Sequence, residues 1–301
     1  MKKIFIKICK LLGFEIIDQN NFFSPSLNKE LNQDLSIINE KSIILPLGEV
    51  KITRTVRSLL IILRVNTEVE IWDQTKKRLF EQPKVEYTIR SIRSLINSIK
   101  FCENKYANLE IKTVIIQDHS SNENIDKVKK LIDGKNIEMI SLNHEKFEKN
   151  INKQKTKETF SNLASLLQSF ETGSKQGKDL IFFVEDDYLH SEEMLEEMVS
   201  TYERVASQVN KDIFICPSDY PFLYMNNEKT NVLIGSNRHW RTVNKTLCTF
   251  MTSKKLLDKY WENFTKTCED RHDPFEKYLN EIYEKEICIS PLKSLSLHCT
   301  N

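Results

Sequence analysis

Glycine is scarce, with six in 301 residues, or about 2% where about 7% is usual. No pair of them falls in GxGxxG or GxxxxGK[ST] spacing, so dinucleotide binding at a glycine-rich turn and phosphate cradling by a P-loop lose their usual basis. Long apolar runs are also missing. The best, Leu59 to Leu63, is strand-sized, against the roughly 18 residues that a membrane-spanning helix needs. Charge of one sign is missing as well: 44 Lys and Arg against 43 Asp and Glu leave a formal net charge of +1. Without a basic field to hold a polyanion, a nucleic-acid partner is not expected. The seven cysteines are odd in number, scattered, and form no CxxC pair. That pattern excludes a disulfide framework and a structural zinc module, and points to a reducing, cytoplasmic setting.

What is present is ordinary for a globular chain: 40% hydrophobic and 29% charged residues, enough for a sizeable core. The length suits one large domain or two small ones. Residues 1–14 alternate basic and apolar side chains. As a helix they would put Ile4, Ile8, Leu11 and Leu12 on one side and Lys3, Lys7 and Lys10 on another. Such a segment fits an anionic membrane surface, as a peripheral contact on the inner membrane, and equally fits a helix docked on its own domain. Residues 15–50 are rich in Asn and Ser, so residues 1–50 are expected to be a helix and lead-in arm and 51–301 a single domain.

From residue 58 the pattern alternates. Apolar, β-branched runs at Ser58–Arg64, Ile111–Asp118, Asn136–Leu142, Asp179–Val184 and Asp212–Cys216 read as strands covered on both faces. Between them, helical spacing predicts helices over Glu86–Phe101, Ser121–Ile132 and Lys157–Thr172, and one capped by Ser191 that runs to about Val209. Beyond Pro217, short strands are expected at Val232–Ile234 and Arg241–Val243, with helices over Ser253–Thr267 and Pro274–Glu284. Strands alternating with helices predict an α/β layered sheet with a parallel core.

In an open α/β sheet, ligands bind beyond the carboxyl ends of the strands. Two predicted strands end in acids there: Asp118, and the consecutive Glu185, Asp186 and Asp187. Three adjacent carboxylates at the rim of a buried strand repel one another unless a cation or basic partner offsets them. Oxygen ligands of that kind suit Mg²⁺ or Mn²⁺ bridging to substrate phosphates.

The segment Asp179-Leu-Ile-Phe-Phe-Val-Glu-Asp-Asp-Tyr188 resembles the DxD-bearing segment of GT-A-fold nucleotide-sugar glycosyltransferases, with Glu-Asp-Asp where Asp-x-Asp is common. Asp118 is similar to the acid with which that family grips the nucleoside, and the resemblance spans residues 58–301. It implies a three-layer α/β/α sandwich with a mostly parallel central sheet. It also implies a nucleotide-diphosphate sugar donor and Mn²⁺ or Mg²⁺ held by Asp187, with Glu185 and Asp186 toward the sugar and ribose. A late histidine ligand is implied too, for which His298 is the candidate, and so is a base near the Cys268–Phe275 segment, Asp273 first and Asp270 second. Pro274 fits a first helical position, which would make Asp273 an N-cap. Asp219, Tyr220 and Tyr224 are the acceptor candidates, since aromatic faces beside a carboxylate suit a sugar. Arg238 and Arg241 around Trp240, with Arg64, are the candidates for nucleotide contacts. The expected reaction is inverting transfer to a hydroxyl on a glycan or lipid-linked acceptor, in bacterial surface-polysaccharide or lipopolysaccharide assembly. Acids at strand ends also serve nucleotidyltransferases and metal phosphohydrolases, and the amphipathic helix with the aromatic loop would suit a non-catalytic binding module.

Overall fold

A computed structural model describes residues 2–13, 51–68, 79–152, 156–225 and 230–299. The expected lead-in arm at 15–50 lies outside them. Helix α1 (Lys2–Leu11) leaves Ile4, Phe5, Ile8, Leu11 and Leu12 exposed. The next elements alternate: β1 (Ser58–Val65), α2 (Lys84–Lys105), β2 (Glu110–Gln117), α3 (Asn122–Ile132), β3 (Ile137–Ser141), the single turn α4 (His144–Phe147), α5 (Lys157–Gln176) and β4 (Leu180–Glu185). A short β5 (Tyr188–His190) leads into α6 (Met194–Val209) and β6 (Phe214–Ile215). Beyond them come β7 (Val232–Ile234), β8 (His239–Thr242), β9 (Phe250–Ser253), α7 (Lys254–Lys259), α8 (Trp261–Glu269), α9 (Lys277–Tyr283), β10 (Cys288–Pro291) and β11 (Ser296–His298).

Nine strands form one sheet in the order β3-β2-β1-β4-β9-β6-β10-β8-β7, while β5 and β11 pair separately. Strands β1 to β4 pair in parallel; β9 is antiparallel to both β4 and β6, and β8 to both β10 and β7. Only β8 and β9 therefore run against the rest, and the sheet is mostly parallel in direction. The apolar run of β1 shows why: it is buried along its whole length, with Leu59, Ile61, Leu63 and Val65 facing one layer and Leu60 and Ile62 the other. The first layer packs Ile92 and Leu95 of α2 with Met198 and Val199 of α6; the second packs Leu163, Leu166 and Phe170 of α5 with Phe264 of α8. This is the three-layer α/β/α sandwich that the resemblance implies. Gly173 of α5 has a packing reason, because a Cβ there would meet the Phe183 ring at 3.0 Å, so α5 lies close against β4.

Three local expectations are corrected. The helix expected from Ser191 begins at Met194, and the Ser191 hydroxyl caps nothing, since its carbonyl rather than its side chain receives the Met194 N–H. The helix expected over Ser253–Thr267 is two, broken at Tyr260. The helix expected from Pro274 begins at Lys277, whose N–H closes a turn onto the Pro274 carbonyl. Asp273 is therefore not its cap.

His190 on β5 carries the first prediction. Its ring is buried, with Nδ1 2.7 Å from the Ser296 hydroxyl, and burial pushes its pKa down from 6.5 to about 3. An unfolded chain protonates this imidazole below pH 6.5 and the folded chain does not. The neutral ring therefore stabilises the fold fully above pH 6.5, and that contribution falls away as the pH drops toward 3. We expect the acid limb of urea unfolding in that window to carry about 1.4 kcal/mol per pH unit from this one proton. His190→Gln should flatten the limb by that slope; an unchanged limb would assign the acid sensitivity to other groups.

Candidate active site

The sheet brings its acids to one edge by register. Arg64 of β1 pairs across the ladder with Glu185 of β4, and the Asp118 N–H donates to the Val65 carbonyl at 2.8 Å, closing the end of β2 against β1. The carboxyl ends of β2, β1 and β4 are thus contiguous.

Strand β4 ends at Glu185, and Asp186 and Asp187 form the turn that leads into β5. The middle acid, Asp186, is buried. Its Oδ1 is 2.5 Å from Lys84 Nζ, and its Oδ2 accepts from Thr88 Oγ1 at 2.6 Å and from the Asn66 N–H at 3.2 Å. This carboxylate is held against the start of α2. Glu185 accepts from Arg64 Nη2 at 2.7 Å, and Arg64 in turn donates to Asn162 Oδ1 at 2.9 Å. Burial pushes the Glu185 carboxyl above its ordinary range, with Arg64 opposing and Asp187 reinforcing the shift. Arg64 thus serves the triplet rather than reaching outward alone.

The outer acid is Asp187. Its Oδ2 lies 3.3 Å from His298 Nε2, and both side chains are about a quarter exposed. Strand β11 makes this contact possible: His298 faces Tyr188 across an antiparallel pair, its ring stacks on Tyr188 at 4.7 Å, and the Cys299 N–H donates to the Asp187 carbonyl at 2.8 Å. The late histidine is fixed by backbone pairing and by a ring face, and it meets the last acid of the triplet.

A carboxylate oxygen and an imidazole nitrogen 3.3 Å apart are spaced like neighbouring corners of a coordination shell, so this pair fits a divalent ion completed by water and phosphate oxygens. A second group of donors, Asp118, His119 and His144, also has its ligand atoms gathered closely enough to hold an ion.

The acceptor candidates form a different cluster. Asp219 Oδ1 accepts from Arg241 Nη2 at 2.9 Å and Oδ2 from the Tyr224 hydroxyl at 2.5 Å, while the Arg241 guanidinium lies over the Tyr224 ring at 4.5 Å. Tyr220 is buried, with its hydroxyl 2.9 Å from that of Tyr188. It backs the wall behind the triplet and does not present a face to a ligand. Arg238 is paired with Glu193 and donates to the Lys293 carbonyl at 3.0 Å. Among the described residues neither Arg238 nor Arg241 forms an ion pair with the triplet, because β8 stands four strands from β4 in the sheet. Arg241 is held in the Asp219 cluster and Arg238 at the start of α6.

The base candidates lie elsewhere again. Asp270 ends α8, its Oδ2 accepting from Asn152 Nδ2 at 2.9 Å. It lines a cleft of about 620 Å³ with Asn152, Leu167, Thr265 and His272. None of the triplet lines that cleft. Asp273 is exposed in the turn before α9. Lys84, Thr88 and Thr249 were beyond sequence reasoning: the Thr249 hydroxyl, which stands 3.2 Å from the Glu185 N–H, arrives on the antiparallel segment before β9 and carries no local signal.

Neither a family model nor a curated protein matches the sequence. Solved structures do. The chain is similar to residues 1–349 of TarS from S. aureus, at 13% identity over 79% of this chain and 59% of that one, with a TM-score of 0.46. It is similar to an active-site mutant of LgtC at 13% identity over 76% of this chain and 71% of that one, with a TM-score of 0.40. A UDP-glucose pyrophosphorylase complexed with UDP-glucose aligns at 9% identity over 81% and 94%, with a TM-score of 0.38. This chain therefore spans 59% of the length of the TarS fragment it matches.

Proposed function

We propose that the chain is a glycosyltransferase that moves a sugar from a nucleotide-diphosphate donor to a hydroxyl acceptor, with a divalent ion, Mn²⁺ or Mg²⁺, at Asp187 and His298. The observation that carries this reading is the pairing of Asp187 with His298 at 3.3 Å, beside a Glu185 already neutralised by Arg64, at the carboxyl edge of the sheet. One carboxylate and one imidazole left facing outward are the donor set that a diphosphate-bound ion needs from a protein. An imidazole in the set favours Mn²⁺ over Mg²⁺. When bound, such an ion supplies Lewis-acid stabilisation of the charge that grows on the leaving diphosphate.

The chain's own residues do the rest. Arg64 offsets Glu185, so that only one net negative charge of that pair of acids faces an anionic donor. Lys84 does the same for Asp186. Tyr188 holds the His298 ring in plane, and burial raises the Tyr188 hydroxyl pKa well above its ordinary value, so it stays neutral there. The nucleotide would lie along the β1–β4 edge with the Asp118 corner closing its nucleoside end. The sugar acceptor would use the Asp219–Arg241–Tyr224 platform, where a guanidinium-backed ring offers a flat face. Inverting transfer further requires a carboxylate to take the acceptor proton. Asp273 is assigned that role, with Asp270 as its substitute.

The test is product identity. Purified protein with Mn²⁺ and a panel of nucleotide sugars should release nucleoside diphosphate; pyrophosphate released from a nucleoside triphosphate would make it a nucleotidyltransferase instead. In the same assay Asp273→Asn should lose about 10²–10⁴-fold in transfer with donor affinity unchanged. Full transfer by that variant, with loss in Asp270→Asn, would move the base to the 620 Å³ cleft.

A further inference from the structure

The corner at the ends of β2 and β3, which closes the nucleoside end of the proposed site, gathers a second set of metal-ligating donors around Asp118. Asp118 follows β2 and is buried, and its Oδ1 has no hydrogen-bond partner. Two imidazole nitrogens nevertheless crowd that oxygen: His119 Nδ1 at 2.5 Å and His144 Nε2 at 3.0 Å. The Ser161 hydroxyl of α5 stands on the other side of both, 3.2 Å from His144 Nε2 and 3.3 Å from His119 Nδ1. The three ligand atoms of Asp118, His119 and His144 all lie within 4.8 Å of one another.

Hydrogen bonding alone satisfies this arrangement poorly. A single hydroxyl proton serves only one of the two ring nitrogens. Neither ring nitrogen makes a hydrogen bond to Asp118 Oδ1 despite its closeness, and the two rings meet edge to face with centroids 5.0 Å apart. A divalent cation fits this arrangement, because neutral imidazoles can turn lone pairs toward one point beside the carboxylate. Tetrahedral bonds of about 2.0–2.1 Å would separate neighbouring ligand atoms by about 3.3 Å, so the 2.5 and 3.0 Å spacings from Asp118 to the two rings need only a slight opening of the side chains, with all three ligand atoms within 4.8 Å. The backbone points the same way. His119 sits in the left-handed region at φ 45°, a sparsely populated conformation for a residue with a side chain, of the kind that clusters at ligand sites.

We propose that Asp118, His119 and His144 form a transition-metal site of the zinc class, distinct from the Asp187–His298 pair. Two imidazoles and one carboxylate select Zn²⁺ or Co²⁺ over Mg²⁺ and Ca²⁺, which prefer oxygen shells. Ser161 stands beside both ring nitrogens, and water would supply a fourth ligand. The ion would clamp the loop after β2 to α4 at the corner where the nucleoside end of the proposed site closes.

Cobalt reads this without any sugar donor, so its outcome is independent of the transfer reaction. Full-length protein stripped with chelator should take up one equivalent of Co²⁺ with the visible absorption of a tetrahedral site, and Zn²⁺ should displace it. His144→Ala and His119→Ala should each weaken Co²⁺ binding at least about 100-fold, whereas Asp187→Asn should leave the tetrahedral signal intact. Both rings are about a third exposed, so these truncations open no core cavity, and circular dichroism verifies the fold. Absence of a tetrahedral cobalt signal in the unmodified protein overturns the proposal. So does an unchanged signal in both histidine variants, or loss of the signal in Asp187→Asn.

Discussion

Asp187→Asn is expected to remove sugar transfer, by about 10³-fold or more in kcat, while the thermal midpoint moves little. Whereas Asp186 is buried against Lys84, the Asp187 side chain is partly exposed and pairs with His298. Its removal therefore takes away charge and a ligand atom rather than packing. A group that stabilises the leaving charge only in the transition state lowers kcat and kcat/KM together, and loss of one such electrostatic partner alone is worth about 10²–10³. Loss of the anchoring carboxylate adds misplacement of the diphosphate to that figure. His298→Ala should act in the same direction with a smaller effect, because an imidazole ligand brings no negative charge to an ion. The double variant should be no worse than Asp187→Asn alone if both serve one ion. Retention of more than a tenth of the activity by Asp187→Asn, measured as nucleoside diphosphate release, would take Asp187 out of the reaction.

How far the sequence carried depended on whether a signal was local. The strands β1, β2 and β4 announce themselves by short apolar runs, Leu59–Leu63, Val114–Ile116 and Leu180–Val184, that are buried on both faces, and their ends placed Asp118 and the triplet at one edge. His298 was legible for a related reason: the alternation Ser294-Leu-Ser-Leu-His298 is a strand pattern, and β11 is the strand that delivers it to Asp187. The antiparallel β9, slotted between β4 and β6, was not legible. Its four residues, Phe250 to Ser253, are buried and followed immediately by a helix, so the run merges with helical spacing. The two arginines flanking Trp240 show the limit on charge. Adjacency in sequence suggested one anion site, but a strand projects alternate residues to opposite faces, and what each arginine meets depends on which distant loop returns beside it. His119 next to Asp118 was visible as a dipeptide, but His144 reaches it only because the next parallel strand ends at the same edge.

The pair behind the triplet should be the costlier one to break for stability. Lys84 Nζ and Asp186 Oδ1 are 2.5 Å apart, with side chains 8% and 11% exposed. Removing one member of a buried pair leaves the other charge without its partner and costs about 3–5 kcal/mol, a large share of the 5–15 kcal/mol that typically holds a domain together. Lys84→Met is accordingly expected to lower unfolding free energy by about 3–5 kcal/mol, and Asp186→Asn to lower it for the converse reason. In the double variant the remaining amide keeps its bonds from Thr88 and Asn66 without a stranded charge, so the double variant should be more stable than Lys84→Met alone. That non-additivity, measured by denaturant unfolding of all four proteins, is the direct signature of the pair. Asp186 anchored to Lys84 and Thr88 fixes the turn from which Asp187 projects, so Lys84→Met should also lower transfer by the folded fraction, through donor affinity and kcat together. Additive losses across the cycle would mean that Lys84 packs beside Asp186 without neutralising it, and that the orientation of the triplet is set by the Arg64–Glu185 pair instead.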